Sequence, residues 1–206
     1  MKENYDKLMI EEIASLKTKP NLLLHTCCGP CSTATIERLK THFNLTILYY
    51  NPNIEPYEEY LKRKQEQIRY LNSVDLPYYD IDYLNEEFAS TIKGLEGEKE
   101  GGARCSKCFY LRLDKTAQIA SKLGVQYFCT SLTVSPHKDS QIINQIGQSL
   151  EQKYQVKWLK SDFKKQNGYL KSVKMAKAHD LYRQEYCGCS YSQLIDKKME
   201  DVKDEN

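Results

Sequence analysis

The sequence Leu22-Leu23-Leu24-His25-Thr26-Cys27-Cys28-Gly29-Pro30-Cys31 joins a short apolar run to a cysteine-rich turn. The apolar run predicts a buried β-strand, because a strand covered on both faces has no polar alternation. Proline favours the first turn of a helix, which we predict from Pro30 to His42. A strand that leads directly into a helix begins a βαβ unit, so this stretch predicts a parallel sheet.

The same alternation of strand and helix patterns continues along the chain. Further strands are predicted at residues 45–50, 78–81, 126–132 and 156–159, and further helices at residues 56–71, 85–95, 105–123, 140–154, 168–182 and 190–199. We therefore predict an α/β fold of three layers, doubly wound, with a mainly parallel sheet of about five strands and a C-terminal helical segment. The expected organisation is a leading helix in residues 1–20, a single catalytic domain in 21–200 and a disordered tail in 201–206.

Length and composition exclude several classes of protein. The chain has 206 residues, of which 40% are hydrophobic and 28% charged, as in an ordinary soluble domain. No apolar run approaches the roughly 18 residues that a membrane span needs, and the charged first turns do not form a secretory signal. We therefore expect a cytoplasmic protein without a membrane partner. In that compartment the 8 cysteines predict metal or redox ligands rather than structural disulfides.

Seven of the eight cysteines fall into three tight groups, whereas cysteines that serve only core packing are scattered. The groups are Cys27, Cys28 and Cys31; Cys105 and Cys108; and Cys187 and Cys189. Seven thiols exceed the four that one cubane cluster or one structural zinc consumes. The surplus predicts a cluster together with a second redox element, either a mononuclear metal or a dithiol. The loop after the first strand lies where ligands collect in such folds, beyond the carboxyl ends of the strands.

Individual cysteines have different expected roles. Cys105 and Cys108 stand at a predicted helix start after Arg104, where a helix terminus and a cation favour thiolates. The Cys187-Gly188-Cys189 sequence predicts a metal chelate or a small, strained and redox-labile disulfide. Cys129, alone in the fourth predicted strand, is expected to be an inert core residue. We expect the same structural role for His25.

Charge is unevenly distributed along the chain. The net charge is only +2, but residues 151–185 carry nine bases against four acids, whereas residues 75–101 carry eight acids against two bases. A basic stretch of this kind either meets phosphates or is a solvated helix face. Tyr49, Tyr50, Tyr57 and Tyr60 lie near the loop after the second strand, and we consider them candidates for stacking on a nucleobase.

Six sequence stretches, taken together, resemble one protein family. They are Cys27-Cys28-Gly29-Pro30-Cys31, Asn51-Pro52-Asn53-Ile54, Arg104-Cys105-Ser106-Lys107-Cys108-Phe109, Arg112-Leu113, Ser135-Pro136 and Tyr182-Arg183-Gln184-Glu185-Tyr186-Cys187-Gly188-Cys189. This pattern closely resembles the QueH-type epoxyqueuosine reductases, and the resemblance extends from about Leu22 to Ser192.

The resemblance implies a reaction and its cofactors. The family reduces epoxyqueuosine to queuosine at the wobble position of the tRNAs for Asp, Asn, His and Tyr. It removes the epoxide oxygen and leaves an alkene, with two electrons and two protons consumed. It relies on iron–sulfur chemistry rather than cobalamin, and its fold is similar to the nucleotide-binding α-hydrolase-like (HUP) class, which includes tRNA thiolation enzymes. Because cysteines occupy the place of that class's glycine-rich loop, we expect no ATP.

Cys27, Cys28, Cys105 and Cys108 are the expected ligands of a [4Fe-4S] cluster, since their two loops can face each other across the sheet edge. Cys31, Cys187 and Cys189 remain as the second redox element, a mononuclear iron or a dithiol, and we assign them catalytic roles. A metal there can polarise the epoxide oxygen. Iron is slightly favoured, because a cubane delivers one electron at a time and a neighbouring metal can hold the epoxide between transfers. The tRNA anticodon loop is the expected partner, bound through Arg183, Lys164, Lys165 and Lys171. The electron donor is unidentified.

Two alternatives start from the same residues. Cys28-Gly29-Pro30-Cys31 matches the active-site sequence of thioredoxin, so a thioredoxin-like thiol–disulfide oxidoreductase using Cys28 and Cys31 is the first. Cys27 replaces the aromatic residue expected there, and four further clustered cysteines have no role in that chemistry. A zinc-stabilised RNA-binding module is the second, but it leaves Cys187 and Cys189 unexplained. A brown chromophore in anaerobically purified protein separates the cluster from both.

Overall fold

A computed structural model describes residues 2–192 of the chain. The strands are β1 (Asn21–Thr26), β2 (Asn44–Tyr49), β3 (Tyr78–Asp80), β4 (Tyr127–Thr130) and β5 (Lys157–Trp158). The helices are α1 (Tyr5–Ser15), α2 (Gly29–Leu39), α3 (Tyr57–Ser73), α4 (Asn85–Thr91), α5 (Ala103–Lys122), α6 (Ser140–Tyr154) and α7 (Gly168–Ala178), and a 3-10 helix spans Ser131–Val134.

The sheet has five parallel strands in the order β3-β2-β1-β4-β5. Strand β1 lies at its centre, where Leu24 is opposite Ile47 of β2 on one side and Cys129 of β4 on the other. The order of the strands reverses direction between β1 and β4, so the carboxyl ends of these two strands define the switch point. The predicted parallel α/β architecture is confirmed, and the cysteine-rich turn lies at that switch point.

The apolar run of β1 supplies both faces of the core. Leu22 and Leu24 belong to a hydrophobic cluster that also contains Met9 of α1 and Ile36 of α2. Leu23 points to the opposite face, in a cluster with Phe128, Leu113 of α5 and Ile143 of α6. All three leucines are fully buried, which removes their apolar surface from water and fixes β1 in the middle layer. The three predicted layers follow from this alternation.

Several predicted element boundaries are wrong: the helix predicted at 30–42 ends at Leu39 and the helix predicted at 85–95 ends at Thr91. Two further differences have clear local reasons. Strand β4 ends at Thr130 rather than Leu132, because the Thr130 hydroxyl accepts a hydrogen bond from the Leu132 amide (3.2 Å) and begins the 3-10 helix. Helix α7 ends at Ala178 rather than Tyr182, because Asp180 adopts a left-handed conformation with φ of +48°. Both boundaries bring their following segments to the edge that carries the cysteines.

The C-terminal predictions fall mostly outside the described residues. Residues 190–192 are helical, whereas the rest of the predicted helix 190–199 and the tail 201–206 lie beyond residue 192. Between residues 2 and 192, no helix has both the length and the apolar character that crossing a membrane requires.

Candidate metal and redox site

The turn between β1 and α2 brings three sulfur atoms together. Cys27, Cys28 and Cys31 place their Sγ atoms within 4.8 Å of one another, and Cys27 Sγ lies 3.7 Å from Cys28 Sγ. Cys28 is the extended residue that precedes α2, and Pro30 occupies the first turn of the helix. The positive end of the α2 dipole therefore faces this cysteine triad, an arrangement that favours negative charge on sulfur.

Within the cysteine triad, the three thiols titrate as a unit. Hydrogen bonds from the thiols of Cys28 and Cys31 hold the pKa of Cys27 well below its usual value. The same hydrogen bonding to Cys27 raises the pKa of Cys28 to about 12 and raises that of Cys31. Hydrogen bonding within the triad thus favours ionisation of one sulfur over the other two, and a thiolate is the form that binds a soft metal.

Cys105 and Cys108 lie in the first turns of α5, as predicted. The Gly101 amide donates a hydrogen bond to Cys105 Sγ (3.2 Å), and Arg104 fixes the preceding loop through backbone carbonyls that include that of Glu96 (3.0 Å). The expected low thiol pKa values are nevertheless wrong. Burial raises the pKa of Cys105, and it raises that of Cys108 to about 12, so desolvation outweighs the helix terminus and the neighbouring arginine.

The Cys187-Gly188-Cys189 loop is held against α3 and the segment before it. Buried Arg63, which forms an ion pair with Glu59 (2.7 Å), donates to the carbonyl of Cys187 (3.2 Å). The Glu55 amide donates to the Gly188 carbonyl (2.8 Å). Both cysteines are free thiols, with Cys187 half-buried and Cys189 buried. The loop is therefore a fixed dithiol, presented by backbone contacts rather than by its own side chains.

Arg112 links the three cysteine groups. Its buried guanidinium donates to Asn51 Oδ1 (2.5 Å), and Asn51 in turn donates to the Thr26 carbonyl (2.9 Å) at the end of β1. Burial alone would lower the pKa of Arg112, but the sulfurs of Cys108, Cys27 and Cys187 raise it by more than burial lowers it. The net pKa is raised, so the guanidinium group stays charged. The charge of Arg112 thus acts on one sulfur from every group, whereas among the described residues only Cys27, Cys28 and Cys31 lie within metal-ligand spacing of one another.

An open cleft of about 640 Å³ leads to these sulfurs. Its wall combines cysteines of two groups with basic, aromatic and amide side chains, among them Cys27, Cys31, Cys187, Lys138, Tyr169, Arg183, Gln184 and Tyr186. Lys138 pairs with no carboxylate in residues 2–192, and the sulfurs of Cys187, Cys27 and Cys31 raise its pKa against the effect of burial. A second cavity, of about 460 Å³, lies between α1, α6 and β5 and contains none of the clustered cysteines.

Several residues of this site carry no signal that sequence reasoning could use on its own. Lys138 follows the quoted Ser135-Pro136 pair, and Gln184 lies inside the last quoted stretch, but neither residue type predicts proximity to sulfur. Arg63 belongs to α3, whose sequence pattern is that of an ordinary amphipathic surface helix. Their positions follow from the strand order, which brings the segments after β1, β2 and β4 to one edge.

His25 and Cys129 have the structural roles that we expected. The Tyr50 carbonyl can only accept, so His25 carries its proton on Nε2 (3.1 Å) and accepts at Nδ1 from the Thr130 hydroxyl (2.8 Å). Complete burial lowers the pKa of His25 to about 3, which keeps it neutral. Cys129 is fully buried, within 3.5 Å of the Ser161 hydroxyl. Both side chains join neighbouring segments and take no part in the site.

The tyrosines after β2 are not available for stacking on a base, with one exception. Tyr49, Tyr50 and Tyr60 are 1–2% exposed and pack in the core. Tyr57 is 49% exposed, yet its ring stacks on Tyr60 at 6.1 Å rather than facing the cleft. The aromatic rings at the cleft belong instead to Tyr169 and Tyr186, on the C-terminal side of the chain.

Of the four predicted RNA-binding residues, only Arg183 lines the cleft, and the four have different surroundings. Arg183 is exposed at the rim of the cleft and donates to the Tyr169 hydroxyl (2.8 Å). Lys165 and Lys171 are exposed. Lys164 donates to Asp162 (2.8 Å), and its amide binds the carbonyl of Thr133 after β4 (3.1 Å). The positive charge of Lys164 is therefore partly neutralised, whereas the other three cations face solvent.

Replacing Gly188 with alanine tests the geometry of the dithiol loop. Gly188 has φ of +134°, and an added Cβ would lie 3.1 Å from Ile54 Cγ1 and 3.2 Å from Arg63 Nη1. We expect the strain to destabilise the fold by about 1–3 kcal/mol. Displacement of the two sulfurs should lower turnover by on the order of 10–100-fold. Gly97→Ala is the matched control, since nothing lies within 4 Å of its added Cβ; wild-type turnover of Gly188→Ala would contradict the prediction.

Comparison with known proteins places the chain among named relatives. A family model described as "Epoxyqueuosine reductase QueH" matches residues 22–194. Proteins of that name are 43% identical over 201 residues in Streptococcus pyogenes serotype M1 (93% of this chain, 78% of the relative) and 39% identical over 204 residues in Staphylococcus epidermidis (94% and 86%). The Thermotoga maritima protein of the same name is 36% identical over 176 residues (84% and 90%).

The fold is also found in a solved structure. The U34-tRNA thiolase NcsA from Methanococcus maripaludis, with its [4Fe-4S] cluster, aligns with a TM-score of 0.53 and 13% sequence identity, covering 97% of this chain and 75% of the thiolase. This likeness supports the expected fold class, which includes tRNA thiolation enzymes. The thioredoxin-like alternative receives no support from these comparisons. With a family model that spans most of its length, the chain belongs to the epoxyqueuosine reductase QueH family.

Proposed function

We propose that this protein is a cytoplasmic oxidoreductase that reduces epoxyqueuosine to queuosine at the wobble position of tRNA. An open cleft lined by Cys27, Cys31 and Cys187, next to the compact cysteine triad, carries the proposal together with the family match. The epoxide takes up two electrons and two protons, and its oxygen leaves as water while an alkene forms. The substrates are the tRNAs for Asp, Asn, His and Tyr, and the electron donor is a separate reductant.

The donor set fits an iron–sulfur cofactor. Thiolates are the ligands that hold such clusters, and a cationic surrounding from Arg112 and Lys138 offsets the negative charge of a sulfur-rich site. We assign Cys27, Cys28, Cys105 and Cys108 as the ligands of a [4Fe-4S] cluster. Such a cluster supplies low-potential electrons, one at a time. Cobalamin and ATP have no part in this proposal.

Cys31, Cys187 and Cys189 form the second redox element in this proposal, either around a mononuclear iron or with Cys187 and Cys189 as a dithiol. Cys31 and Cys187 both line the cleft and both face Lys138. Oxidation of two thiols to a disulfide releases two electrons and two protons, the number that deoxygenation consumes. Cys31 also touches the sulfurs of Cys27 and Cys28, so a cluster held by the cysteine triad is the rival assignment.

Lys138 and the cleft wall have two further roles in this proposal: stabilising charge on the epoxide oxygen and binding the modified base. Lys138 lines the same cleft as Cys27, Cys31 and Cys187, and in this proposal its ammonium group stabilises negative charge that develops on the epoxide oxygen. Tyr169 and Arg183 at the rim offer an aromatic ring and a guanidinium plane to a base that is splayed out of the anticodon loop. The protein thus binds the nucleoside in the cleft and the RNA backbone outside it.

The predicted RNA-binding lysines should give tRNA binding a measurable salt dependence. Changing both Lys165 and Lys171 to glutamine should weaken tRNA binding and flatten the slope of log Kd against log salt by roughly one for each lost phosphate contact. Lys164→Gln should have a smaller effect, because Lys164 already donates to Asp162. Binding is measured by filter retention or anisotropy between low and physiological salt.

The control for that experiment neutralises lysines at the opposite edge of the sheet. Lys19 precedes β1 and Lys122 ends the helix before β4, so both are exposed at the amino ends of the strands. A double change of these two to glutamine should leave the slope unaltered. Equal slopes for the two double variants would mean that the stretch 151–185 is only a solvated surface.

Direct turnover tests the proposed function. Protein reconstituted with iron and sulfide under anaerobic conditions is incubated with dithionite and tRNA that carries epoxyqueuosine, and the nucleosides are separated by mass. The expected product lacks one oxygen atom and elutes as queuosine. A reconstituted protein that contains a cluster yet leaves epoxyqueuosine unchanged would refute the assignment.

A further inference from the structure

The segment after α7 crosses the cysteine triad and places an amide on one of its sulfurs. Gln184 lies in this segment, and its Nε2 donates to Cys28 Sγ at 3.0 Å. The segment itself is fixed on α3, because the Tyr182 amide donates to Glu66 (2.8 Å) and the Tyr182 hydroxyl donates to Glu59 (3.0 Å). Gln184 also lines the cleft. One side chain therefore touches a predicted cluster ligand and the substrate cavity at once.

The two polar atoms of the Gln184 amide differ in their hydrogen bonding: Nε2 has a partner and Oε1 has none among residues 2–192. A sulfur that binds a metal has no proton to donate, so only the amide N–H group can face Cys28 in the loaded protein. The other end, Oε1, is buried and has no hydrogen-bond partner among residues 2–192. Buried acceptors of this kind are nearly always satisfied in folded proteins, and an exception in a cavity wall calls for a partner. A donor group on the bound nucleoside can supply that partner once a small shift of the side chain turns Oε1 toward the cleft that Gln184 lines.

We propose that Gln184 couples the cluster to the substrate: its N–H group binds the sulfur of Cys28, and its carbonyl oxygen accepts a hydrogen bond from an N–H or O–H group of the modified nucleoside. This inference rests on the proposed function. Gln184 is a positioning residue toward the cluster and a specificity-determining residue toward the tRNA. Hydrogen bonds to cluster sulfurs help to set the reduction potential, so the first contact has an electrochemical signature.

Two variants separate the two ends of the amide. Gln184→Glu keeps the shape and an acceptor oxygen but loses the N–H donor, whereas Gln184→Met has a similar length and loses both. We expect the reduction potential of the reconstituted protein without tRNA to become more negative in both variants, and further in Gln184→Glu because of its added charge. Gln152→Met, on the exposed side of α6, is the matched control and should leave the potential unchanged.

The substrate end is measured as a ratio of two affinities. For each variant, the Kd of unmodified tRNA is divided by the Kd of the same tRNA carrying epoxyqueuosine, which cancels general charge effects. We expect this ratio to fall about tenfold in Gln184→Met, as loss of one buried hydrogen bond implies, and to stay within about threefold of wild type in Gln184→Glu. Iron and sulfide contents equal to wild type establish that each variant is loaded.

The measurements distinguish failure of the Gln184 proposal from failure of the proposed function. An unchanged potential in Gln184→Glu, or an unchanged affinity ratio in Gln184→Met, would overturn the coupling role of Gln184. Failure of the proposed function looks different: wild-type protein would then show neither turnover nor preference for epoxyqueuosine tRNA, while the effect of Gln184 on the potential would remain measurable.

Discussion

Replacing Cys105 with serine should remove the cluster and lower turnover by at least about a hundredfold, since a thiolate ligand is exchanged for a poorly binding hydroxyl. Reconstituted protein should lose its acid-labile sulfide, most of its iron and the broad absorption at roughly 400 nm. Cys105 is half-buried at the start of α5, where a serine fits without strain, so the loss would report on the metal rather than on the fold.

Two further variants make the result specific. Cys31→Ser should keep its sulfide and lose about one iron at most, because Cys31 belongs to the second redox element in our assignment. Cys129→Ser should retain both, since this cysteine is buried in β4 away from the groups. If Cys31→Ser lost all sulfide while Cys105→Ser kept it, the compact cysteine triad would be the cluster site.

Much of the fold could be predicted because the local signals agree with the tertiary structure. The run Leu22–Leu24 has no polar position, and both faces of β1 are in fact covered. Proline at Pro30 and the left-handed Gly124 mark the ends of helices as their backbone preferences require. Boundaries at Thr130 and Asp180 failed because they depend on a single side-chain hydrogen bond or one unusual φ angle.

The candidate site could be predicted only as far as residue clustering reaches. Cysteines that are adjacent in sequence are necessarily adjacent in space, so the three groups were visible in the sequence. Their meeting depends on the order β3-β2-β1-β4-β5, which local patterns do not determine. This topology brings Lys138, Gln184 and Arg112 close to the sulfurs, and residue type alone does not predict that proximity.

The acidities of the cysteines show the same division between local and tertiary causes. A helix start and Arg104 predict low pKa values for Cys105 and Cys108, and both features are present. Burial, which only the folded chain determines, outweighs them and raises both values. In the cysteine triad, hydrogen bonds between thiols produce the opposite result for Cys27. Sequence context therefore identified the ligand candidates but not their protonation.

Replacing Cys189 with serine should abolish turnover, by at least about a hundredfold, while the sulfide of the cluster is retained. Cys189 packs beside Cys108 in a small buried group, whereas Cys187 faces the cleft. In either version of the second redox element, one sulfur of this pair meets substrate and the other completes the chelate or the disulfide. Sulfide content and single-turnover reduction of epoxyqueuosine tRNA are measured on the same anaerobic sample.

Iron content then decides between the two versions of the element. Loss of about one iron with unchanged sulfide supports a mononuclear metal at Cys31, Cys187 and Cys189, because removal of one thiolate from so small a ligand set releases the ion. Unchanged iron supports the dithiol, whose two electrons and two protons match the reaction. Ser190→Ala is the matched control: it removes a hydroxyl bond to Glu55 (3.0 Å) beside the loop but leaves both sulfurs. Normal turnover by Cys189→Ser would exclude both versions and leave the cluster as the sole redox centre.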